Sequence, residues 1–84
     1  MKAVTGNRLR DGAVIYRVAD GEWTTDIGQA AAYGADAEAA LKAAEADVAG
    51  AVVVGIELID VVQGASGLEP VSLRERIRAY GPTV

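Results

Sequence analysis

Residues 3–19 read AVTGNRLRDGAVIYRVA, and this stretch decides the fold. Two runs rich in strand-forming residues, 3–9 and 13–19, flank Asp11-Gly12, a dipeptide that supplies the positive φ angles of a two-residue hairpin turn. A turn of that length also fixes the register of the two strands. The facing pairs are then Leu9 with Val14, Asn7 with Tyr16, and Thr5 with Val18.

A second turn at Asp20-Gly21 predicts a third short strand around Trp23, which then faces Val18. Because side chains alternate between the faces of a strand, one face of this meander collects large apolar residues and forms a core. Those residues are Leu9, Val14, Tyr16, Val18 and Trp23. Gly6, inside the first strand, indicates a bulge or a close approach of two backbones.

The middle of the chain is rich in alanine, which is typical of helices. Asp26 is placed to cap a short helix that runs to about Ala32, and Gly34 ends it. Asp36 then caps a second helix that runs to about Ala49. Its apolar stripe, at helical spacing, consists of Ala37, Leu41, Ala44 and Val48. The sequence leaves open whether these segments are two helices or one broken helix.

The last third of the chain begins with a second predicted hairpin. Val52–Gln63 is rich in Val and Ile and predicts a strand. Residues 64–67 predict a turn, and Leu68–Val71 predicts the returning strand. Pro70 marks that strand as an edge of the sheet, because proline has no N–H to donate to a neighbour.

A short helix is predicted at the C-terminus. Ser72 opens it, and Glu75 three residues later completes a capping box. Gly81 and Pro82 end it. Its apolar face consists of Leu73, Ile77 and Tyr80.

This order of elements predicts an α+β fold in one domain spanning residues 1–84. The domain comprises an N-terminal β-hairpin or meander, a central Ala-rich helix or helices, a second β-hairpin and a short C-terminal helix. We expect a mainly antiparallel sheet with the helices packed on one face. The core is small, since seventeen of the apolar residues are alanine, so a protein partner or a homodimer can complete it.

The 84 residues include no cysteine and no histidine. Disulfides, histidine or thiolate metal sites, cysteine nucleophiles and catalytic groups with a histidine base are therefore excluded. Glu57 and Asp60 share a strand, but their spacing of three puts them on opposite faces, so they do not act on one substrate. The sequence predicts no metal, no cofactor and no catalytic residue, and it favours a protein that is not an enzyme.

Charge is unevenly distributed along a chain whose net charge is −4. Residues 1–19 carry a balance of +3, residues 20–69 one of −9, and residues 70–84 one of +2. We expect the two basic ends to meet and form an anion-attracting patch on an acidic body. An acidic chain is not expected to bind nucleic acid. The longest uncharged apolar stretch, Val48–Ile56, is too short to cross a bilayer, and no apolar segment follows Lys2, so we predict a cytoplasmic protein without membrane contact.

The arginines of the C-terminal helix are the most distinctive candidate site. Arg74 and Arg78 lie one helical turn apart, and Arg76 flanks Tyr80. Guanidinium groups bind carboxylates, phosphates and sulfur oxyanions, and they often anchor protein interfaces. The alternative is a solvated helix face that pairs with the acidic body. The candidate partner- or anion-binding residues are Arg74, Arg76 and Arg78, with Arg8 and Tyr80 nearby.

Two segments together resemble a known family. They are residues 5–16, TGNRLRDGAVIY, followed by Gly21-Glu22-Trp23, and residues 73–84, LRERIRAYGPTV. They resemble the small bacterial family called domain of unknown function 2849. Members of that family are typically encoded beside sulfite reductase and other genes of assimilatory sulfate reduction, so the resemblance implies an accessory role in cysteine biosynthesis. It implies no catalytic residue.

Two hypotheses follow. The first is a non-catalytic accessory protein that binds sulfite reductase or a neighbouring enzyme of the pathway. The second is a small oxyanion-binding or sensing module in which the same arginines hold sulfite, sulfate or a sulfated nucleotide. An enzyme that uses carboxylates or tyrosine, and a nucleic-acid binder, are less favoured.

Overall fold

The computed structural model describes residues 1–65 and 67–80, and five strands and two α-helices lie within them. The strands are β1 (Lys2–Arg8), β2 (Val14–Arg17), β3 (Trp23–Thr24), β4 (Val53–Gly64) and β5 (Gly67–Pro70). The helices are a 3-10 helix (Ile27–Gln29), α1 (Ala37–Ala49) and α2 (Leu73–Tyr80). The strands form one antiparallel sheet in the order β3-β2-β1-β4-β5. The predicted α+β class and mainly antiparallel sheet are confirmed.

The β1–β2 hairpin differs from its prediction in register and in turn length. Thr5 faces Tyr16 and Asn7 faces Val14, so the predicted register is wrong by two residues. Because the shift is two and not one, every side chain keeps its expected face. A four-residue loop, Leu9–Gly12, takes the place of the two-residue turn.

Asp11 determines the length of this loop. Its carboxylate accepts hydrogen bonds from Arg8 Nε at 3.0 Å and Nη2 at 2.9 Å, and from the Ala13 N–H at 3.1 Å. The Arg8 N–H donates to the Ala13 carbonyl at 2.7 Å and closes the loop. Gly12 still adopts a positive φ of 75°. The side chain of Asp11, rather than the backbone preference of Asp-Gly, therefore fixes the register.

The pKa of Asp11 tests this loop. The hydrogen bonds from Arg8, followed by the one from Ala13, lower the pKa of the Asp11 carboxyl from 3.8 to about 2. Since the folded-state pKa lies below the unfolded one, the stabilisation is present above about pH 4 and is lost as the pH falls towards 2. We expect an NMR titration to give a pKa of about 2 for Asp11, and Arg8→Met to return it towards the ordinary value. A pKa near the ordinary value in the unaltered protein would show that this loop geometry does not form in solution.

Both faces of the sheet are covered. Residues 3–6 of β1 are all buried although their side chains alternate between the faces. On one face, called here the α1 face, Arg17 and Trp23 both donate hydrogen bonds to Asp47 of α1. On the opposite face, called here the α2 face, Ala79 of α2 packs against a buried cluster. That cluster is Ala3, Tyr16, Ile27, Ile59, Val61 and Leu68.

The two helices therefore lie on opposite faces, and the expectation that they share one face is wrong in this detail. The reason is a second apolar set on the α1 face, where Val4, Ile15 and Val53 are fully buried. Ala44 of α1 is fully buried as well. A single layer of helices would leave one of the two apolar faces in water.

The predicted core face is only partly right. Tyr16 is fully buried, but Leu9 is exposed because it lies in the hairpin loop and not in β1. Trp23 faces Arg17 rather than Val18, which moves the indole to the α1 face. The second turn is longer than predicted because β2 ends at Arg17 and Val18 already belongs to the turn.

The central segment contains two separate helical elements. Asp26 caps the first through a hydrogen bond from the Gly28 N–H at 2.9 Å, but this element is one 3-10 turn and not a helix to Ala32. Asp36 precedes α1 without capping it, because its carboxylate accepts from the Gly34 N–H at 3.0 Å. Ala37 and Ala44 of the predicted stripe are buried, whereas Leu41 is half-buried and Val48 exposed.

Gly6 marks a close approach of two strands, one of the two predicted alternatives, and the bulge itself lies opposite it on β4. The β1–β4 register shifts between Thr5 and Asn7, and Gly55 on β4 adopts a positive φ of 64°. A Cβ on Gly6 would lie 2.6 Å from Cγ2 of Val53, so the two strands require glycine at this position. The second hairpin is also confirmed, with β5 at the edge of the sheet.

Candidate functional site

Helix α2 begins at the predicted cap, Ser72, but the Glu75 side chain binds arginines instead of completing the capping box. Ser72 Oγ accepts a hydrogen bond from the Glu75 N–H at 3.2 Å, which is one half of a capping box. The Glu75 carboxylate instead accepts from Arg78 Nη1 at 2.9 Å and from Arg74 Nη1 at 3.0 Å. The predicted helix end at Gly81 and Pro82 lies outside the described residues.

Helix α2 turns its apolar side to solvent. At 100° per residue, Ile77 points about 160° away from both Glu75 and Ala79, and Tyr80 lies about 60° from Ile77. Ile77 is 45% exposed and Tyr80 50% exposed, whereas Glu75 is 5% exposed. The side that faces the sheet therefore carries a buried carboxylate, and Ile77 and Tyr80 of the predicted apolar face are left open.

Four charged side chains hold α2 in this orientation, and they are called here the ion cluster: Glu57, Arg74, Glu75 and Arg78. Arg78 Nη1 lies 3.1 Å from Glu57 Oε1 on β4 and 2.9 Å from Glu75 Oε1. Arg74 Nη1 lies 3.0 Å from Glu75 Oε2 and 3.7 Å from Glu57 Oε1. A buried carboxylate is stable only when it is paired, and here two guanidiniums balance two carboxylates.

The two arginines of the ion cluster are not equivalent. The Arg78 side chain is 18% exposed and joins α2 to β4, so it is part of the fold. The Arg74 side chain is 71% exposed and duplicates contacts that Arg78 already makes. Arg76 lies on the other flank of the helix, where Nη2 is 3.7 Å from Glu69 Oε1. We call the exposed pair Ile77 and Tyr80, with Arg74 and Arg76 on either side, the α2 outer surface.

The structure brings four of the five predicted site residues together on α2 and leaves Arg8 apart. Arg8 lies at the loop end of β1, and its ion pair in the described part of the chain is with Asp11. Tyr80 lines a cleft with β5 and the 3-10 helix. Near the other end of β1, Lys2 pairs with Asp60 at 2.6 Å. Arg8 and the arginines of α2 thus do not form one patch.

Glu57 and Asp60 lie on opposite faces of β4, as predicted. Glu57 is opposite Thr5 and binds Arg78, whereas Asp60 is opposite Lys2 and binds it. A cleft of about 220 Å³ lies between β4 and the start of α2, and residues 57–60 of β4 form one wall of it. Among residues 1–65 and 67–80, no group of three or more carboxylates is placed to hold a metal ion.

Sequence reasoning missed the carboxylates that receive these arginines. Glu75 fits a capping box, and nothing in the helix pattern indicates that its side chain is buried. Glu57 stands in a strand whose pairing partners are far away in the chain. The i, i+3 spacing of Glu75 and Arg78 is the one signal that could have suggested their ion pair.

Tyr16 carries a buried hydroxyl near the ion cluster. The tyrosine is fully buried, and its hydroxyl has no hydrogen-bond partner within residues 1–65 and 67–80. Burial raises the pKa of this phenol, which therefore stays neutral at physiological pH.

Tyr16→Phe tests whether this hydroxyl has a role. We expect the variant to be as stable as the unaltered protein or up to about 1 kcal/mol more stable, because the hydroxyl has no hydrogen-bond partner within the described residues and its removal takes away a buried polar group. Urea unfolding gives the difference. A loss above about 1 kcal/mol would mean that the hydroxyl makes a hydrogen bond in solution.

These features define a small α+β protein with an antiparallel sheet covered on both faces and a C-terminal helix held by ion pairs. No helix within the described residues is long and apolar enough to span a membrane. The model of one protein family matches residues 2–84, and the chain belongs to that family, which is described as "protein of unknown function (DUF2849)". No curated protein and no solved structure matches the chain.

Proposed function

We propose that the protein is a non-catalytic accessory of the bacterial cytoplasm that binds another protein through the α2 outer surface. The partner we propose is sulfite reductase or a neighbouring enzyme of assimilatory sulfate reduction. The observation that carries the binding role is the outward orientation of Ile77 and Tyr80. The choice of partner rests on the family resemblance alone.

The α2 outer surface has the composition of a protein interface. Tyrosine and arginine are enriched among residues that contribute most to binding, and apolar side chains form the centre of such contacts. This small domain has few large apolar residues. Burial of an isoleucine and a tyrosine would stabilise it, and that stabilisation is lost while both side chains stay in water. A partner that covers them recovers this burial.

An oxyanion-binding module is the alternative, and the geometry supports it less well. Arg78 and Arg74 already bind the carboxylates of Glu57 and Glu75, so the ion cluster is neutral. A sulfite or sulfate ion would have to compete with these carboxylates for the guanidiniums. Calorimetric titration with millimolar sulfite or sulfate tests the alternative, and binding at that level would favour it over the accessory role.

Co-purification from a bacterium that expresses the tagged full chain tests the proposal. We expect sulfite reductase or a neighbouring pathway enzyme to be recovered with the unaltered protein and to be lost with Ile77→Ser. Val48→Ser is the matched control, because Val48 is 40% exposed and lies on α1, on the opposite face of the sheet. Absence of every enzyme of the pathway from the purified material, or equal losses with the two variants, would refute the proposal.

A further inference from the structure

We infer that the α2 outer surface recognises an acidic protein surface, one that offers an apolar recess bordered by carboxylates. The inference rests on the proposed protein-binding role and adds the chemistry of the partner. It does not depend on which enzyme the partner is.

Arg74 can turn to a partner's carboxylate at little cost to the fold, because its own ion pairs are largely exposed to water at the arginine end. Its side chain is 71% exposed, and its contacts to Glu57 and Glu75 are duplicated by Arg78 at 3.1 and 2.9 Å. If Arg74 turns to another carboxylate, both acids keep a paired guanidinium.

Arg76 places a second accessible guanidinium on the opposite flank of α2. Its ion pair to Glu69 in the described part of the chain is long, at 3.7 Å, and its side chain is about half exposed. Arg74 and Arg76 thus border Ile77 and Tyr80 with two guanidiniums that a partner can reach. Guanidinium groups at the rim of a contact select carboxylates and accelerate association with an acidic surface.

A second copy of the chain is a poorer match for this surface. Symmetric pairing of two α2 helices would place Arg74 and Arg76 against the same arginines of the other copy, and like charges at an interface are unfavourable. The exposed side of α1 carries Glu38 and Glu45, but α1 lies on the other face of the sheet. Contacts from α2 to α1 of another copy would therefore extend from copy to copy instead of closing a dimer.

Two synthetic peptides test the inference with the full-length protein. The first is an amphipathic peptide of roughly 18 residues, long enough to form a helix, with a leucine face bordered by glutamates. In the second, lysine replaces every glutamate. We expect the acidic peptide to bind about tenfold more tightly at low salt, because it meets two accessible guanidiniums. Its NMR shift changes should centre on the amides of Arg74, Ile77 and Tyr80.

Two pairs of substitutions show whether the preference comes from this surface. Arg74→Gln with Arg76→Gln should abolish the preference for the acidic peptide. Arg10→Gln with Lys42→Gln removes the same charge from exposed positions on the hairpin loop and α1, and should leave the preference unchanged. If both pairs reduce it equally, net charge and not the α2 outer surface is responsible, and the inference fails.

Three other results would also overturn the inference. They are equal binding of the two peptides, binding of anionic phospholipid vesicles without binding of the acidic peptide, and a dimer in sedimentation that Ile77→Ser dissociates. Failure to co-purify sulfite reductase has no bearing on the peptide result. The partner proposal and the inference about partner chemistry therefore fail separately.

Discussion

Arg78→Met is expected to lower the free energy of unfolding by about 2–4 kcal/mol, because removing one partner of a buried ion pair leaves the other charge poorly compensated. The Glu75 side chain is 6% exposed and would retain only Arg74, which is largely in water. Methionine keeps most of the aliphatic stem of arginine, so the loss reports on charge rather than on volume. Denaturant unfolding followed by fluorescence of the single tryptophan, Trp23, measures it.

Two controls distinguish the ion cluster from a general effect of charge. Arg74→Met should cost less than about 1 kcal/mol, as expected for an exposed ion pair. Glu75→Leu combined with Arg78→Met should recover most of the stability lost by Arg78→Met, because an apolar pair can replace a buried ion pair. If Arg78→Met and Arg74→Met cost the same, Arg78 does not fasten α2 to the sheet.

Gly67→Ala is expected to cost about 2–5 kcal/mol, the sum of backbone strain and of overpacking. Gly67 has a φ of +121°, and a Cβ there would lie 2.7 Å from the carbonyl oxygen of Gly28 in the 3-10 helix. The neighbouring atom is backbone, so no side chain can turn away to make room. Thermal or denaturant unfolding measures the loss.

Substitutions at two other glycines distinguish backbone strain from overpacking as the cause of this loss. Gly12 has a φ of +75° but open space around its Cβ, so Gly12→Ala should cost only the backbone strain, about 1 kcal/mol. Gly34 has open space and no positive φ, so Gly34→Ala should change stability by less than about 1 kcal/mol. If Gly67→Ala lowers the free energy of unfolding no more than Gly12→Ala does, the 3-10 helix does not pack closely on β5.

The sequence predicts most of the elements because they depend on local signals. Each local signal favours a structure at its own position in the chain. The signals are the Val- and Ile-rich run of β4, the alanines of α1 and the Ser72 cap. Gly6 indicated the close approach of β1 and β4 in the same way, because a glycine inside a strand often marks a bulge or a close backbone approach. The α+β class follows from the order of these elements.

Most of the parts that the sequence did not predict depend on partners distant in the chain. The hairpin register is the exception, because it follows a local contact of the Asp11 side chain with Arg8 instead of the turn preference of the backbone. The placement of helices on both faces depends on how the sheet is assembled. The orientation of α2 is the clearest case, because burial of Glu75 requires Glu57 and Arg78 to meet across 21 residues.

The sequence places the candidate site on the correct helix, but the structure gives its arginines different roles. The sequence singles out Arg78 as an anchor, whereas the structure uses it inside the fold. Arg74 and Arg76 keep their accessibility, and Ile77 and Tyr80 add an apolar centre between them. The proposed role as a protein-binding accessory therefore depends above all on whether α2 keeps its apolar side in water.

Cysteine labelling tests that orientation most directly, because the chain has no cysteine and a single introduced thiol is the only one that reacts. Ile77→Cys places the thiol on the exposed side of α2, and Ala79→Cys places it against the core. We expect the Ile77→Cys thiol to react with a disulfide reagent roughly tenfold faster or more in the native protein, because reaction requires exposure. A faster reaction at Ala79→Cys, or equal rates at both positions, would contradict the outward apolar surface and the function proposed from it.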